Sequence, residues 1–290
     1  MRHARGEPGG EGQGEFGLIR AALDAVGGLP DEEIALAETA LLFARIDAPG
    51  ADWRRVRLHF SALAREAVEF RDWVGEDAQE RAEALAGLLG CRHDYRGDFE
   101  TYDDLRNVNL IHIAERRRGM PVGLGVIWLH CAEVAGWGCH GINFPGHFLL
   151  ALDGANGPVL LDIFSGGRMV EADDVEAMAG RLPEGGRRLA EGSLTEGMGK
   201  RDVLIRLQRN IAVRREAVGE IESALVCVED MLRIAPADLM LWQHAAVLHQ
   251  KLGQISAALG AMERAVALLP PGEEGEHLRA AMRQLRGRLH

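Results

Sequence analysis

Residues 119–167 read GMPVGLGVIWLHCAEVAGWGCHGINFPGHFLLALDGANGPVLLDIFSGG, and the change of period inside this stretch decides the fold. Gly119 closes whatever precedes it, and Pro121 presets φ for a first helical turn. Apolar residues recur through Val122, Val126, Ile127, Leu129 and Val134 until Gly136, which predicts one buried helix over 121–135. After Gly138 the pattern becomes strand-like in three runs, Cys139–Phe144, Phe148–Leu152 and Val159–Phe164. Asp153-Gly154-Ala155-Asn156-Gly157 is a turn sequence, so the last two runs pair as an antiparallel hairpin.

A turn centred near residue 155 brings His147 and Asp162 to neighbouring positions, within the register freedom of a five-residue loop. An imidazole beside a carboxylate is the orienting half of a nucleophilic triad: the carboxylate fixes the tautomer and the imidazole activates a thiol. Such a thiol belongs at a helix N-terminus, where the dipole lowers its pKa. Here that helix begins Met120-Pro121-Val122-Gly123-Leu124.

Helix, strand with His, strand with Asp is the order of the transglutaminase-like core, and the chain resembles that superfamily. The residues that carry the resemblance are Tyr102-Asp103, Asn107, Arg117-Arg118-Gly119-Met120-Pro121-Val122, Asn143-Phe144-Pro145-Gly146-His147-Phe148, and Leu161-Asp162 with Gly166-Gly167. They are similar to a bacterial, Sir-B-type, non-cysteine branch that carries C-terminal tetratricopeptide repeats; Arg209-Asn210 matches it as well. The resemblance implies an α+β fold, with N-terminal helices, a papain/transglutaminase-like core holding an antiparallel sheet, and an all-α repeat domain behind it. It also implies that the cysteine of active relatives falls on Gly123, which has no side chain. His147 and Asp162 are then the remnant of a catalytic pair, and the branch looks like retired enzymes.

No other residue takes over easily. Cys131 lies two helical turns beyond Gly123, about 12 Å away. Cys139 precedes His147 on a strand whose pairing aims it near residue 151, and Ser165 lacks a strand-turn-helix elbow. A water activated by His147 is the remaining catalytic option. A metal site from His140, His147, Asp162 and a cysteine is disfavoured, because alternation puts Cys139 and His140 on opposite faces.

Composition agrees with a protein of two soluble domains. The chain has 290 residues, 47% hydrophobic and 27% charged. A net charge of −11 argues against nonspecific nucleic-acid binding, which depends on counterion release. Cys91, Cys131, Cys139 and Cys227 show no paired spacing, so neither a disulfide framework nor a metal or other cofactor is expected. The N-terminus MRHARGEPGGEGQGEFG has no apolar signal region and no run is long enough to span a bilayer; a cytoplasmic location is the expectation.

Taken in order, residues 1–15 read as a Gly/Glu-rich disordered tail and 16–182 as the transglutaminase-like domain with its N-terminal helices. Asp31 and Asp52 are candidate caps, a helix runs over about 76–89, and Asp103 or Asp104 opens one reaching Arg118. Arg116-Arg117-Arg118 then complement that helix's dipole. His59 and His93 read as isolated histidines. After an acidic helix near 172–180, the Gly-rich 183–200 reads as a linker.

Beyond it, Ala224-Leu225-Val226-Cys227-Val228-Glu229 is echoed thirty-four residues later by Ala258-Leu259-Gly260-Ala261-Met262-Glu263, each block followed by a proline, Pro236 and Pro270. Trp242, Ala246, Ala258, Met262 and Ala265 occupy repeat core positions, and 274–290 form a capping helix, so 201–290 is the repeat domain. The reading that weighs most is a non-catalytic scaffold or regulatory protein that binds a protein or peptide partner through the repeats. The alternative is a cysteine-independent hydrolase or acyl-transferase using His147 and Asp162.

Overall fold

The computed structural model describes residues 10–269 and 273–287. The part of the expected tail that precedes Gly10 lies outside the described residues, and Gly10 itself opens helix α1 (Gly10–Gly27). Chain contacts divide the protein into two compact units. One is residues 31–207; the other joins residues up to 30 with those from 208 onward.

The 31–207 unit begins with a single 3₁₀ turn at Asp31–Glu33, then α2 (Leu36–Asp47), α3 (Trp53–Arg71) and α4 (Ala78–Leu85). Asp52 caps α3 through the Arg55 amide at 3.1 Å, as its place in the sequence suggests. Asp31 does something else. Its carboxylate accepts from the amides of Lys200 and Arg201, at 2.7 and 2.8 Å, and so caps a helix far along the chain. Beyond α4 the helix widens into a π turn over Ala86–Arg92, followed by β1 (Arg96–Gly97).

The helix expected from Asp103 to Arg118 is broken. Asp104 caps a 3₁₀ turn at Leu105–Asn107, and Asn109 caps α5 (Leu110–Arg116) through the amides of Ile111 and His112. The Asn109 amide group also donates to the Ala44 carbonyl at 3.0 Å, fixing α5 to α2. Arg117 ends α5 in the left-handed region, φ 59°, and β2 (Arg118–Gly119) pairs parallel with β1.

α6 (Pro121–Val134) is the buried helix the sequence announces, with Pro121 in its first turn and Leu124, Val126, Trp128 and Cys131 fully enclosed. β3 (Cys139–Ile142), β4 (Leu149–Leu152), β5 (Val159–Asp162) and β6 (Arg168–Val170) follow as an antiparallel meander in that spatial order. Ile142, Phe144, Leu149, Ala151 and Val170 pack on one face with Ala190, under α7 (Ala172–Gly180) and α8 (Glu184–Thr195). The alternate set, including Leu150 and Leu152, serves the face that meets α6.

The 183–200 stretch therefore holds a helix where a linker is expected from its glycines, because Ala190 and Leu194 cover the sheet. α9 (Lys200–Ala217) runs through the division between units, and its first half buries Val203, Leu204 and Leu207. The first residues of the stretch read as the repeat domain, including Val203, Leu204 and Leu207, therefore lie in the 31–207 unit.

The other unit contains α1, the end of α9, α10 (Ile221–Ile234), α11 (Leu239–Lys251), α12 (Ile255–Leu268) and α13 (Glu273–Arg286). α12 restates α10 thirty-four residues on, and Gly219 and Gly253 occupy equivalent turns with φ of 83° and 72°. Ala246, Ala258, Met262 and Ala265 are buried as repeat core. Pro270 lies outside the described residues. α1 packs on α10: Arg20 and Arg233 both hold the buried Asp230, at 3.0 and 3.2 Å. The first helix thus belongs with the repeats, which only the fold reveals.

Candidate functional site

Phe144-Pro145-Gly146-His147 forms a tight turn in which the His147 amide donates to the Phe144 carbonyl at 2.8 Å. Pro145 supplies φ at its second position and Gly146, at φ 77°, the third, the requirements of a type II turn. Phe144 and Phe148 on either side are both 1% exposed, while His147 projects to the surface. The Phe148 ring lies against Gly125 of α6 and Gly141 of β3; a Cβ at either would come within 3.0 Å of it. The motif is thus built around two buried rings. Gly146→Ala is expected to destabilise the protein by about 1–2 kcal/mol, the cost of a left-handed alanine. A urea midpoint unchanged from wild type would contradict this turn.

β4 and β5 pair Leu150 with Leu161 and Leu152 with Val159. This register differs from the one expected and continues with Leu149, not His147, opposite Asp162. The Asp162 carboxylate is engaged within its own turn, accepting from the amides of Phe164 and Ser165 at 3.1 and 3.3 Å and from the Ser165 hydroxyl at 2.6 Å. Gly167 closes that turn at φ 90° and abuts Trp128. No hydrogen bond joins His147 to Asp162 among the described residues, so the two sequence candidates are not brought together as a pair.

The third candidate position carries no side chain. Gly123 is buried in the first turn of α6, and a Cβ there would come within 3.0 Å of Ile113 Cδ1 and 3.3 Å from the Asn107 carbonyl oxygen. Cys131 and Cys139 do not substitute for it: burial pushes each thiol up to about 12, so both are protonated at neutral pH. No group of three or more His, Cys, Asp or Glu among the described residues converges as metal ligands.

Near His147 the structure adds a residue that sequence spacing does not reveal. Arg206, on α9, donates to the His147 carbonyl at 2.7 Å and to Asn143 Oδ1, with its guanidinium 5.3 Å from the Phe148 ring centroid. Burial pulls its pKa below the usual arginine value. Arg206 therefore braces the motif turn from a helix 59 residues downstream.

Tyr102, Asp103 and Asn107 separate into different roles. Asn107 is fully buried: its side chain donates to the Thr101 carbonyl at 2.5 Å and accepts from Arg116 at 2.8 Å. Arg116 also grips Asp98 at 2.6 Å, and Asp98 accepts from Thr101 and Glu100 amides at 2.8 and 3.1 Å. Tyr102 is 42% exposed with its ring edge-on to Phe164, and Asp103 is exposed. Asp98, absent from the sequence candidates, is the centre of this network.

The three arginines each hold a different set of partners, a more specific role than complementing a dipole. Arg117 reaches both His59 and Tyr95, and Arg118 binds Asp94 at 2.8 Å. His59 and His93, which look isolated in sequence, lie 5.8 Å apart ring to ring. Burial, then the charges of Arg117 and His93, pull the His59 pKa down to about 4 against the opposing Glu66. The imidazole is therefore neutral at pH 7 and can accept from Arg117.

Comparison with known proteins follows the same division of the chain. Residues 55–209 match the family model described as the transglutaminase-like superfamily, and residues 208–286 match a tetratricopeptide repeat model. The chain is similar to a UPF0162 protein of Xylella fastidiosa strain Temecula1, 30% identical over 83% of this chain and 86% of that one. A UPF0162 protein of Pseudomonas aeruginosa is 28% identical over 91% of this chain and 94% of its own length. Among solved structures, the crystal structure of menin matches with a TM-score of 0.39 and 11% identity, over 88% of this chain and 69% of that one, too distant to carry an argument.

Proposed function

The chain belongs to the transglutaminase-like superfamily and ends in tetratricopeptide repeats, and on that premise we propose that it is a non-catalytic scaffold or regulatory protein that engages a protein or peptide partner through the repeats. One observation carries the reading: the place a nucleophile would occupy at the start of α6 is a glycine backed by Ile113. Exposed His147 and turn-bound Asp162 support it, since neither is held where the other could orient it. The core then supplies a rigid body, and recognition falls to repeats, whose general use is protein binding. No helix among the described residues is long and apolar enough to cross a membrane.

Intact-mass measurement after exposure to an acyl donor and a thiol-directed electrophile tests the first half. The expected result is no adduct that depends on His147, and His147→Ala should change stability by no more than about 0.5 kcal/mol, as for most surface substitutions. A stoichiometric adduct lost in His147→Ala would favour the hydrolase or acyl-transferase reading instead. For the second half, truncation at residue 200 is a poor probe, because it removes the buried Val203, Leu204 and Leu207. Aspartate at the exposed Met240 and Val247 leaves the core intact and should reduce partner recovery in affinity purification. Unchanged recovery would count against the repeats as the binding element.

A further inference from the structure

Away from His147 and Asp162, a cavity of about 230 Å³ opens between α6, β3 and the start of α9. Its walls are the side chains of Leu36, Leu129, Trp137, Met198 and Val203. Four of them, Leu36, Leu129, Trp137 and Val203, are 6% exposed or less, so the walls are fixed by packing. Met198 completes it from a strap beside the free edge of β3, held by a single bridge in which its amide donates to the Gly141 carbonyl at 2.7 Å. Gly197 in that strap has no side chain, which lets it lie directly on the His140 ring.

The polar groups are few and dissimilar. Glu133 and Lys200 form an ion pair with each other, and Lys200 also donates to the Glu32 carbonyl at 2.9 Å. Their charges cancel, so the cavity asks no net charge of an occupant. Cys139 also lines it, held as a neutral thiol by burial. His140 is half-buried, faces the cavity, and makes no hydrogen bond through its ring among the described residues. A dry apolar cavity of about 150 Å³ already admits benzene, so this one has room for a single ring with a short polar substituent. An ion without an opposite partner would lose hydration that these walls do not replace.

We infer that this cavity is a binding site for an uncharged, one-ring-sized apolar molecule carrying one hydrogen-bonding group, its ring among Leu36, Leu129, Trp137, Met198 and Val203 and its polar group on His140. Apolar walls with one or two placed polar groups are the usual composition of a small-molecule site. The site is independent of the scaffold reading and of His147.

Titration of the full-length, isotope-labelled protein with phenol, followed by amide NMR, tests it. Phenol should saturate with a Kd on the order of 0.1–1 mM, as expected for so small a ligand, and shift the amides of residues 138–141 and 198–203. Toluene should bind the same site more weakly, and benzoate and benzylammonium more weakly still. Val203→Phe fills the cavity and should weaken phenol at least tenfold. Should that variant lose its cooperative melt, Leu129→Phe from the opposite wall serves the same purpose. His140→Leu should weaken phenol about three- to tenfold and leave toluene unchanged. No saturable shift up to the solubility limit, equal binding by a folded filled variant, or tighter binding of either ion would overturn the proposal.

Discussion

Asp98→Ala is expected to cost about 3–5 kcal/mol, because removing a buried carboxylate takes the acceptor from several donors at once, at about 1–3 kcal/mol for each that stays buried, with the half-buried Arg116 among them. Asp98 is 6% exposed and gathers the Thr101 amide and hydroxyl, the Glu100 amide and the Arg116 guanidinium. Without it, Arg116 keeps only the Asn107 side chain in this network, and the chain between β1 and α5 loses the centre that folds it. The Met120 amide, which caps the approach to α6 by donating to the Asn107 carbonyl at 2.7 Å, should loosen with it. Urea unfolding reads the loss directly, and hydrogen exchange at residues 99–107 should rise more than the global change accounts for. A loss below about 1 kcal/mol would mean the network is ornamental.

The same group makes stability depend on pH with a fixed sign. The Thr101 amide is the leading cause, followed after the opposing effect of burial by the Thr101 hydroxyl and Arg116, and together they hold the Asp98 carboxyl well below its ordinary range. A depressed folded pKa means the unfolded chain takes up the proton first. Asp98's contribution is therefore complete above the ordinary carboxylate pKa and is lost as pH falls below it toward the folded value. Wild type should lose more stability between pH 6 and pH 3 than Asp98→Ala does. Parallel pH profiles for the two proteins would remove Asp98 from that role.

Phe148→Ala should be comparably severe, about 3–5 kcal/mol, the range for deleting a buried aromatic ring. Its ring fills the space left by the missing side chains of Gly125 and Gly141, and backbone on both sides limits collapse into the hole. Arg206 would also lose the ring beneath its guanidinium. Set beside the near-neutral change expected at His147, this contrast identifies what the motif is for. If His147→Ala cost more than Phe148→Ala, the motif would centre on the imidazole after all. Thermal melts of the two variants side by side decide it.

Much of the architecture is legible because it is local. Pro121 after Gly119 starts α6, its unbroken apolar content buries it, and the glycine-rich 153–157 closes the β4–β5 hairpin. The thirty-four-residue echo from α10 to α12 needs only the chain itself, since each repeat is one supersecondary unit. Register is not local: a five-residue loop leaves a slip of one or two positions, enough to separate His147 from Asp162. The 183–200 stretch misleads because glycine lowers helix propensity, while Ala190 on the sheet outweighs it.

Sequence alone determined α6, the β4–β5 hairpin, the α+β order, the repeat and the missing side chain at Gly123, because periodicity, turn chemistry and residue identity are properties of neighbours along the chain. Tertiary structure alone decided which distant groups meet: Asp31 on the start of α9, Arg206 on the His147 turn, Arg116 on Asp98, and His140 against the cavity. A carboxylate or guanidinium can satisfy its charge with any partner the fold delivers, so its local sequence does not say which one it will be.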